Sequence, residues 1–285
     1  MKPGTESQTA VMVAAARAAA HGRTEVAAFT DPTALAMLPA DVRRRIEQYR
    51  AGVPPKGLRS RVRRRLLEGR VKMMVPRTVA IDQVIRETAS PQLVILGAGL
   101  DGRAWRMAEL ADTIVFEVDH PDSQRRKRER TASLQPAARE IRFVPVDFAR
   151  DRLDDALAAA GHDPTRATTW VWEGVVMYLE RADIEATLGV IQARSAAGSH
   201  LVILYTSPSL IRTVAGFVLG LIGEPWSRAS RRAPAFCRPL SSLYSSASAD
   251  CVRSAADSYS TAGSIARSPS VVYGVTARSA SSTRR

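Results

Sequence analysis

The stretch QLVILGAGLDGRAWRM, residues 92–107, decides the fold of this 285-residue chain. In it an apolar run, Leu93–Leu96, leads directly into the hexapeptide GAGLDG. A G-x-G-x-x-G pattern after a strand and before a helix is typical of a turn that binds a dinucleotide. Gly97 and Gly99 would let the backbone approach a ligand closely, and the next helix would offer free N–H groups. The pattern by itself fits NAD, another adenosine-bearing ligand, or a tight turn without any ligand.

Short apolar runs alternate with amphipathic segments from residue 91 to about residue 206. The apolar runs predict five strands: QLVILG, TIVFEVD, IRFVPVD, TTWVWEG and HLVILYT. The four segments between them predict helices, so the pattern indicates βαβ units in a mostly parallel α/β sheet. Ligands of such sheets bind beyond the carboxyl ends of the strands. The acidic and glycine residues that end the runs are therefore candidate site residues.

Acidic residues end three successive predicted strands. Glu117 and Asp119 end the second strand and point to the same side of it, so either could accept hydrogen bonds from a ribose. Asp119 would also serve as a helix cap. Asp147, with Phe148 beside it, follows the third strand and could accept from an adenine amino group or cap a helix. Glu173 ends the apolar fourth strand, where a carboxylate needs a partner: an arginine, or an ammonium or sulfonium group of a ligand.

The set of three strand-end acids favours S-adenosylmethionine over NAD. A dehydrogenase uses the glycine turn and one ribose acid, and it also needs a proton-handling residue for hydride transfer. None of the lysines follows a tyrosine at Tyr-x-x-x-Lys spacing. Arg103 and Trp105, after the third glycine, are bulky for close packing of a helix on a strand. An NAD-dependent oxidoreductase remains the alternative enzyme.

Four motifs taken together resemble the actinobacterial S-adenosylmethionine-dependent methyltransferases related to leucine carboxyl methyltransferase: LGAGLDGRAWRM, VFEVDHPDSQRRK, FVPVDF and WEGVVMYL. The pieces AARAAAHGRTEVAAFTDPTA and VPRTVAIDQVI are similar to the helical cap of that family. The resemblance extends from about Val11 to Trp226. It implies a Rossmann-like class I methyltransferase, with a helical cap at residues 1–88 and a cofactor-binding core at residues 89–226.

The resemblance also implies a set of cofactor-binding residues: Arg77, Gly97, Gly99, Asp119, Asp147, Phe148 and Glu173. Arg77 would hold the carboxylate of S-adenosyl-L-methionine, Gly97 would line its methionine moiety and Asp119 would hold its ribose. Asp147 with Phe148 would contact the adenine end, and Glu173 would face the amino group. Two positions depart from the family pattern. Gly102 stands where threonine or a similar residue is usual, and Phe148 stands where leucine is common; we expect both changes to be harmless.

The implied reaction transfers a methyl group to an oxygen of a small molecule, either a carboxylate or a hydroxyl. A carboxylate is already ionised at pH 7 and needs no general base, so alignment and desolvation would carry most of the acceleration. We therefore assign no catalytic residue. Tyr178, on the loop after the fourth strand, would either contact the substrate or pack in the core. The sequence names neither the acceptor nor the oligomeric state.

The charge distribution bears on two alternative functions, binding of nucleic acid and binding of an acidic membrane. The formal net charge is +13, and basic residues cluster from Arg43 to Arg77 and in RRKRER, residues 125–130. These clusters would suit nucleic acid or an acidic membrane, or would be solvated helix faces. Only one aromatic residue, Tyr49, lies among them, which is too few for a base-stacking surface and favours solvated faces. A nucleic-acid-binding protein is therefore the weaker alternative, and we expect no nucleic-acid partner.

Targeting and metal-binding signals are absent from the sequence. No apolar run reaches about 18 residues, and the best candidate, Thr213–Gly223, is too short to insert in a membrane. No secretory signal is visible, so we expect a cytoplasmic protein without membrane insertion. Cys237 and Cys251, the only cysteines, are too few for a disulfide framework or a zinc site, so we expect no metal.

Residues 227–285 differ in kind from the rest of the chain. They are rich in Ser, Ala and Arg and contain only two acids, Asp250 and Asp257. The family resemblance stops after Trp226. We expect a tail that is frameshifted or disordered, because this composition buries too little apolar surface to offset the entropy of ordering. The sheet would then lack its closing antiparallel strands, and activity would be weak or absent.

Overall fold

The computed structural model describes residues 7–148, 150–206, 253–254 and 270–276. The chain forms two compact units. The first comprises Met1–Ala89 with Ala98–Asp147, and the second comprises Ser90–Gly97 with Phe148–Arg285. The helices of the expected cap thus share a unit with the second and third strands.

The described part of the chain contains seven α-helices, two short 3-10 helices and seven strands. The helices are α1 Gln8–Ala20, α2 Ala40–Arg50, α3 Gly57–Thr88, α4 Arg103–Arg106, α5 Pro121–Thr131, α6 Leu153–Ala159 and α7 Arg181–Ala193. The strands are β1 Gln92–Leu96, β2 Ile114–Asp119, β3 Glu140–Pro145, β4 Thr168–Trp172, β5 His200–Thr206, β6 Arg253–Ser254 and β7 Ser270–Thr276. The five predicted strands are therefore confirmed as β1–β5, with a helix after each of the first four.

The N-terminal helices follow local signals with one correction. Ser7 caps α1, because its hydroxyl accepts the Ala10 N–H at 3.2 Å. Asp31 followed by Pro32 is a pattern typical of a helix start, but the next helix, α2, begins only at Ala40. Pro39 explains the difference, since a proline restricts the residue before it and cannot donate a hydrogen bond to a preceding turn. The carboxylate of Asp31 instead accepts the N–H of Ala34 at 3.0 Å and closes a local turn.

Each unit contains parallel strands. In the first unit β2 pairs with β3 in parallel, from Ile114 opposite Glu140 to Asp119 opposite Pro145. In the second unit β4 lies between β1 and β5, and both pairings are parallel. All five residues of β1 and of β4 are buried, as expected for parallel strands covered on both faces. The predicted mostly parallel α/β architecture is confirmed.

The expectation that the sheet would lack closing strands is wrong for part of the tail. β7 pairs antiparallel with β5 along its whole length, from His200 opposite Thr276 to Thr206 opposite Ser270, and β6 pairs with β7. The run SVVYGVT favours a strand because it is rich in β-branched residues, and it supplies a partner to the edge of β5. The rest of the prediction for residues 227–285 lies outside the described residues. So do Cys237, Cys251 and the run Thr213–Gly223.

Candidate functional site

The glycine-rich turn after β1 has the backbone conformation that its sequence predicts. Gly97 and Gly99 have φ angles of +67° and +47°, in the left-handed region that favours glycine. A side chain at Gly97 would also overlap Cγ2 of Val175. The N–H of Ala98 donates to the carbonyl of Val118 at 3.0 Å, so the turn is held against the end of β2. Glycine is therefore required at residue 97 for two independent reasons.

Asp119, the last residue of β2, contacts this turn directly. Its Oδ2 accepts the N–H of Gly99 at 2.5 Å, and its Oδ1 accepts the N–H of His120 at 2.6 Å. Burial raises the pKa of the Asp119 carboxyl, while the two N–H donors oppose that rise. The cap of α5 is His120, whose Nδ1 accepts the N–H of Asp122 at 3.2 Å. The helix-cap alternative for Asp119 is therefore wrong.

Glu117, the other acid of β2, is committed to a buried ion pair. Its carboxylate lies 2.7 Å from Nζ of Lys127 on α5, and both side chains are almost fully buried. The ammonium also lies 5.0 Å from the centre of the Trp105 ring. Burial raises the pKa of Glu117 to about 7, although Lys127 acts against the shift. Of the two acids that the sequence left open, only Asp119 is partly exposed.

A buried ionic network holds the glycine turn to the N-terminal helices. Arg103 of α4 is fully buried, with Nε 2.7 Å from Asp82 of α3 and Nη1 2.5 Å from Asp101 of the turn. Arg106 lies 2.7 Å from the same Asp82 carboxylate. Burial raises the pKa of the Asp101 carboxyl, but the cations of Arg103, Arg17 and Lys127 together outweigh that effect and hold the pKa well below its usual range.

The network reaches α1 through a third arginine. Nε of Arg17 lies 3.1 Å from Asp31, and its Nη2 donates to the carbonyl of Leu100, inside the turn, at 2.5 Å. Asp31 also accepts the hydroxyl of Thr33 at 2.8 Å. That hydroxyl occupies the space that a side chain on Gly102 would need. The packing of Thr33 thus explains why this chain has glycine at residue 102.

The other expected site residues lie in both units. Arg77 lies on α3 directly after Pro76, and Asp147 follows β3; both belong to the first unit and are half-buried. Phe148 and Glu173, also half-buried, belong to the second unit with Gly97. The cap alternative for Asp147 is wrong, because α6 begins only at Leu153. Tyr178, half-buried, ends a 3-10 helix that begins at Val176.

The sequence did not point to the arginines and aspartates of the ionic network. The sequence marks Arg103 only as a bulky residue after the glycine turn, and Asp82 only as part of the segment VPRTVAIDQVI that is similar to the family's helical cap. Such residues could be recognised in the sequence from charges inside otherwise apolar helix faces, since a buried charge needs a partner. No group of three or more described His, Cys, Asp or Glu residues could hold a metal ion.

Comparison with known proteins places the chain among methyltransferases. The sequence model of the family described as leucine carboxyl methyltransferase matches residues 10–192. The chain belongs to the leucine carboxyl methyltransferase family. The resemblance and the enzyme class expected from the sequence, a methyltransferase, are thereby confirmed.

Two curated relatives of this family member come from actinobacteria. A Frankia alni protein is 36% identical over 205 residues, which cover 70% of this chain and 69% of the relative. A Streptomyces coelicolor protein is 35% identical over 230 residues, covering 79% and 78%. Both are provisionally named S-adenosyl-L-methionine-dependent methyltransferases. S-adenosyl-L-methionine is also the cofactor that the sequence predicts.

A solved structure supports the fold of this family member. The crystal structure of a provisionally named methyltransferase from Thermobifida fusca superposes with a TM-score of 0.53 and covers 98% of this chain and 97% of its own. The two sequences are only 15% identical, so the likeness concerns the fold alone. It confirms the Rossmann-like α/β class.

Proposed function

We propose that this family member uses S-adenosyl-L-methionine to methylate an oxygen atom, a carboxylate or a hydroxyl, of a small molecule. The observation that carries the cofactor assignment is the hydrogen bond between Asp119 and the N–H of Gly99. It shows a carboxylate at the carboxyl end of a parallel strand in contact with a glycine turn, as adenosine-binding sheets require. The names of the two curated relatives support the same cofactor.

The described residues fit this cofactor. Gly97 and Gly99, with positive φ, leave no side chain between the backbone and a ligand. Asp119 is partly exposed, so it can accept from ribose hydroxyls in addition to the Gly99 N–H, since a carboxylate accepts about four hydrogen bonds. We assign the cofactor's carboxylate to Arg77 and its amino group to Glu173, because these charges are complementary. Asp147 and Phe148 complete the proposed set at the adenine end.

When bound, the cofactor supplies a methyl group that its sulfonium has already activated. The protein then has to align the acceptor oxygen and exclude water, and both tasks depend on binding residues rather than on a proton-transfer residue. A carboxylate acceptor is ionised at pH 7 and is the simplest oxygen nucleophile for such a site. Tyr178 is a candidate acceptor contact through its hydroxyl.

Calorimetry of the full-length chain tests the cofactor first. We expect S-adenosylhomocysteine to bind with micromolar affinity and NADH not to bind. Binding of NADH alone would instead support the oxidoreductase alternative. Methyl transfer from labelled cofactor to a panel of carboxylic acids, alcohols and amines then tests the acceptor. Methylation confined to amines would refute oxygen as the acceptor, whereas cofactor binding without turnover of any acceptor would support the impairment expected from the tail.

A further inference from the structure

The first half of α3 presents apolar side chains to solvent. Leu58, Val62, Leu66 and Met73 are 76%, 48%, 54% and 38% exposed. At about 100° per residue they fall within an arc of roughly 80°, so they form one stripe along the helix, about 22 Å long. An exposed apolar stripe of this length is unusual on a protein surface and marks an interaction site. We call it the α3 stripe.

Basic residues line both sides of the α3 stripe. The same helical geometry places Arg59, Arg63 and Arg70 along one side, and Arg61, Arg65 and Lys72 along the other. Between Val53 and Met73 the chain has eight basic residues and one acid, Glu68. Glu68 neutralises only Arg64, which lies 3.1 Å away on the same helix. The outward face of α3 is therefore apolar at its centre and cationic at both edges.

The opposite face of α3 supplies the contacts that the fold needs. Val71 is half-buried and Met74 and Val75 are buried, and Val71 and Val75 pack in a cluster with Ala20 and Phe29. The α3 stripe therefore does not contribute to the core of the first unit. Its side chains could be polar without loss of packing, so their apolar character calls for a contact with something outside the described chain.

We infer that the outward face of α3 binds the surface of an anionic membrane. A helix with an apolar centre and basic edges lies in the interfacial region, where the leucines and valines enter the acyl boundary and the arginines meet lipid phosphates. No described helix is long and apolar enough to cross a bilayer. Each basic side chain near such a surface strengthens binding by roughly fivefold.

The α3 stripe forms part of the wall of a groove that matches the same partner. The groove lies between α1, α2 and the start of α3 and has a volume of about 950 Å³. Its lining includes Leu58, Val62 and Leu66 of the stripe and the basic residues Arg59, Arg63 and Arg70. None of its lining residues, all of which the structure describes, is acidic. Burial lowers the pKa of the Arg70 guanidinium, a cost that an anionic headgroup would offset. A nucleic acid fits less well, because the apolar stripe would face its phosphates. Tyr49, the one aromatic residue that lines the groove, is already covered by the Arg64 guanidinium, 5.1 Å from its ring centre.

Vesicle flotation of the full-length chain tests this inference. We expect binding to phosphatidylcholine vesicles that contain one third phosphatidylglycerol, and little binding to pure phosphatidylcholine. The Arg61→Glu/Arg65→Glu variant should bind at least about tenfold more weakly, since the loss of two basic contacts accounts for roughly that factor or more. The Leu58→Ser/Leu66→Ser variant should also bind at least about tenfold more weakly, because it removes apolar side chains that enter the acyl boundary. The charge-matched Arg44→Glu/Arg139→Glu variant, changed at exposed sites on other segments, should change binding about twofold or less.

Several outcomes would overturn the inference. Absence of binding to the anionic vesicles would do so, as would equal loss of binding in the control variant. Binding that is unaffected by Leu58→Ser/Leu66→Ser but competed by duplex DNA would indicate a general polyanion site. A change from dimer to monomer in that variant, without vesicle binding, would show that the stripe binds a second copy. Circular dichroism spectra that match the parent show that the exposed changes leave the fold intact.

Discussion

The carboxylate of Asp119 accepts a hydrogen bond from the backbone N–H of Gly99 at 2.5 Å. The two residues are twenty apart in the chain, and this bond brings the end of β2 to the glycine turn. A bond from an N–H to a charged acceptor is short and stronger than one between neutral groups. It orients one carboxylate oxygen toward the turn and so fixes where the proposed ribose acid points.

The first prediction concerns that acid. Asp119→Asn keeps the shape of the side chain but removes the charge, so we expect the affinity for S-adenosylhomocysteine to fall by about 1–3 kcal/mol in calorimetry. The matched change Glu117→Gln should leave that affinity nearly unchanged and instead lower the free energy of unfolding, because Lys127 would remain buried without an ionised partner. The reverse result, with affinity lost only in Glu117→Gln, would move the ribose assignment to Glu117.

The second prediction concerns Arg77. Arg77→Met should raise the dissociation constant for S-adenosylhomocysteine by roughly 10- to 100-fold, since it removes a charge-assisted contact with a carboxylate. Arg44→Met, at an exposed position of α2, serves as the control and should change the constant little. An unchanged constant in Arg77→Met would mean that Arg77 is one of the basic surface residues and not a cofactor ligand.

The strands were predictable because each is an apolar run between polar segments. β1 and β4 are buried at every residue, so their sequences are continuously apolar or aromatic, and hydrophobicity alone locates them. β7 was missed because its one short apolar run lies in a segment dominated by Ser, Ala and Arg. Such a strand forms because it pairs with β5, and the sequence around residues 270–276 gives no information about that pairing.

The site was predictable in type but not in detail. Alternation along β2 places Glu117 and Asp119 on the same side, so the sequence could not choose between them. The choice depends on Lys127, whose ammonium is buried against Glu117 by the packing of α5. The pairing of Arg103 with Asp82 was equally hidden, because it joins residues 21 positions apart on two separate helices.

The third prediction concerns the buried ionic network. Arg103→Met removes the cation that pairs with both Asp82 and Asp101. Asp82 keeps its contact with Arg106, but Asp101 would be left buried without its ion-pair partner, which is costly. We expect the free energy of unfolding in urea to fall by about 3–5 kcal/mol. Arg125→Met breaks an exposed ion pair with Asp122 and should cost less than about 1 kcal/mol. Equal losses in the two variants would contradict a special role for the network.

The fourth prediction concerns the contact between Thr33 and Gly102. Gly102→Ala places a methyl group where the Thr33 hydroxyl lies, so we expect a loss of stability of about 1–3 kcal/mol from overpacking. Thr33→Ala removes that hydroxyl and should recover part of the loss in the double variant. Urea unfolding of all four proteins measures the coupling energy, which we expect to exceed about 0.5 kcal/mol. Strict additivity would show that the two positions do not share space.

The last prediction concerns the pH dependence of stability. His162 is buried, its Nε2 lies 3.1 Å from the Thr168 hydroxyl, and burial lowers its pKa to about 4. Since an unfolded histidine titrates near 6.5, the unfolded state binds more protons between pH 4 and 6.5, and stability falls as pH falls through that range.

Glu117, with its pKa raised to about 7, has the opposite effect between about pH 4.5 and 7, so the stability of the parent alone would change little with pH. We therefore compare the parent with His162→Gln, because both proteins contain Glu117 and its contribution cancels in the difference between their unfolding free energies. We expect this difference to increase by about 3 kcal/mol from pH 4 to pH 6.5. A difference that does not vary with pH would show that His162 titrates normally in the folded protein.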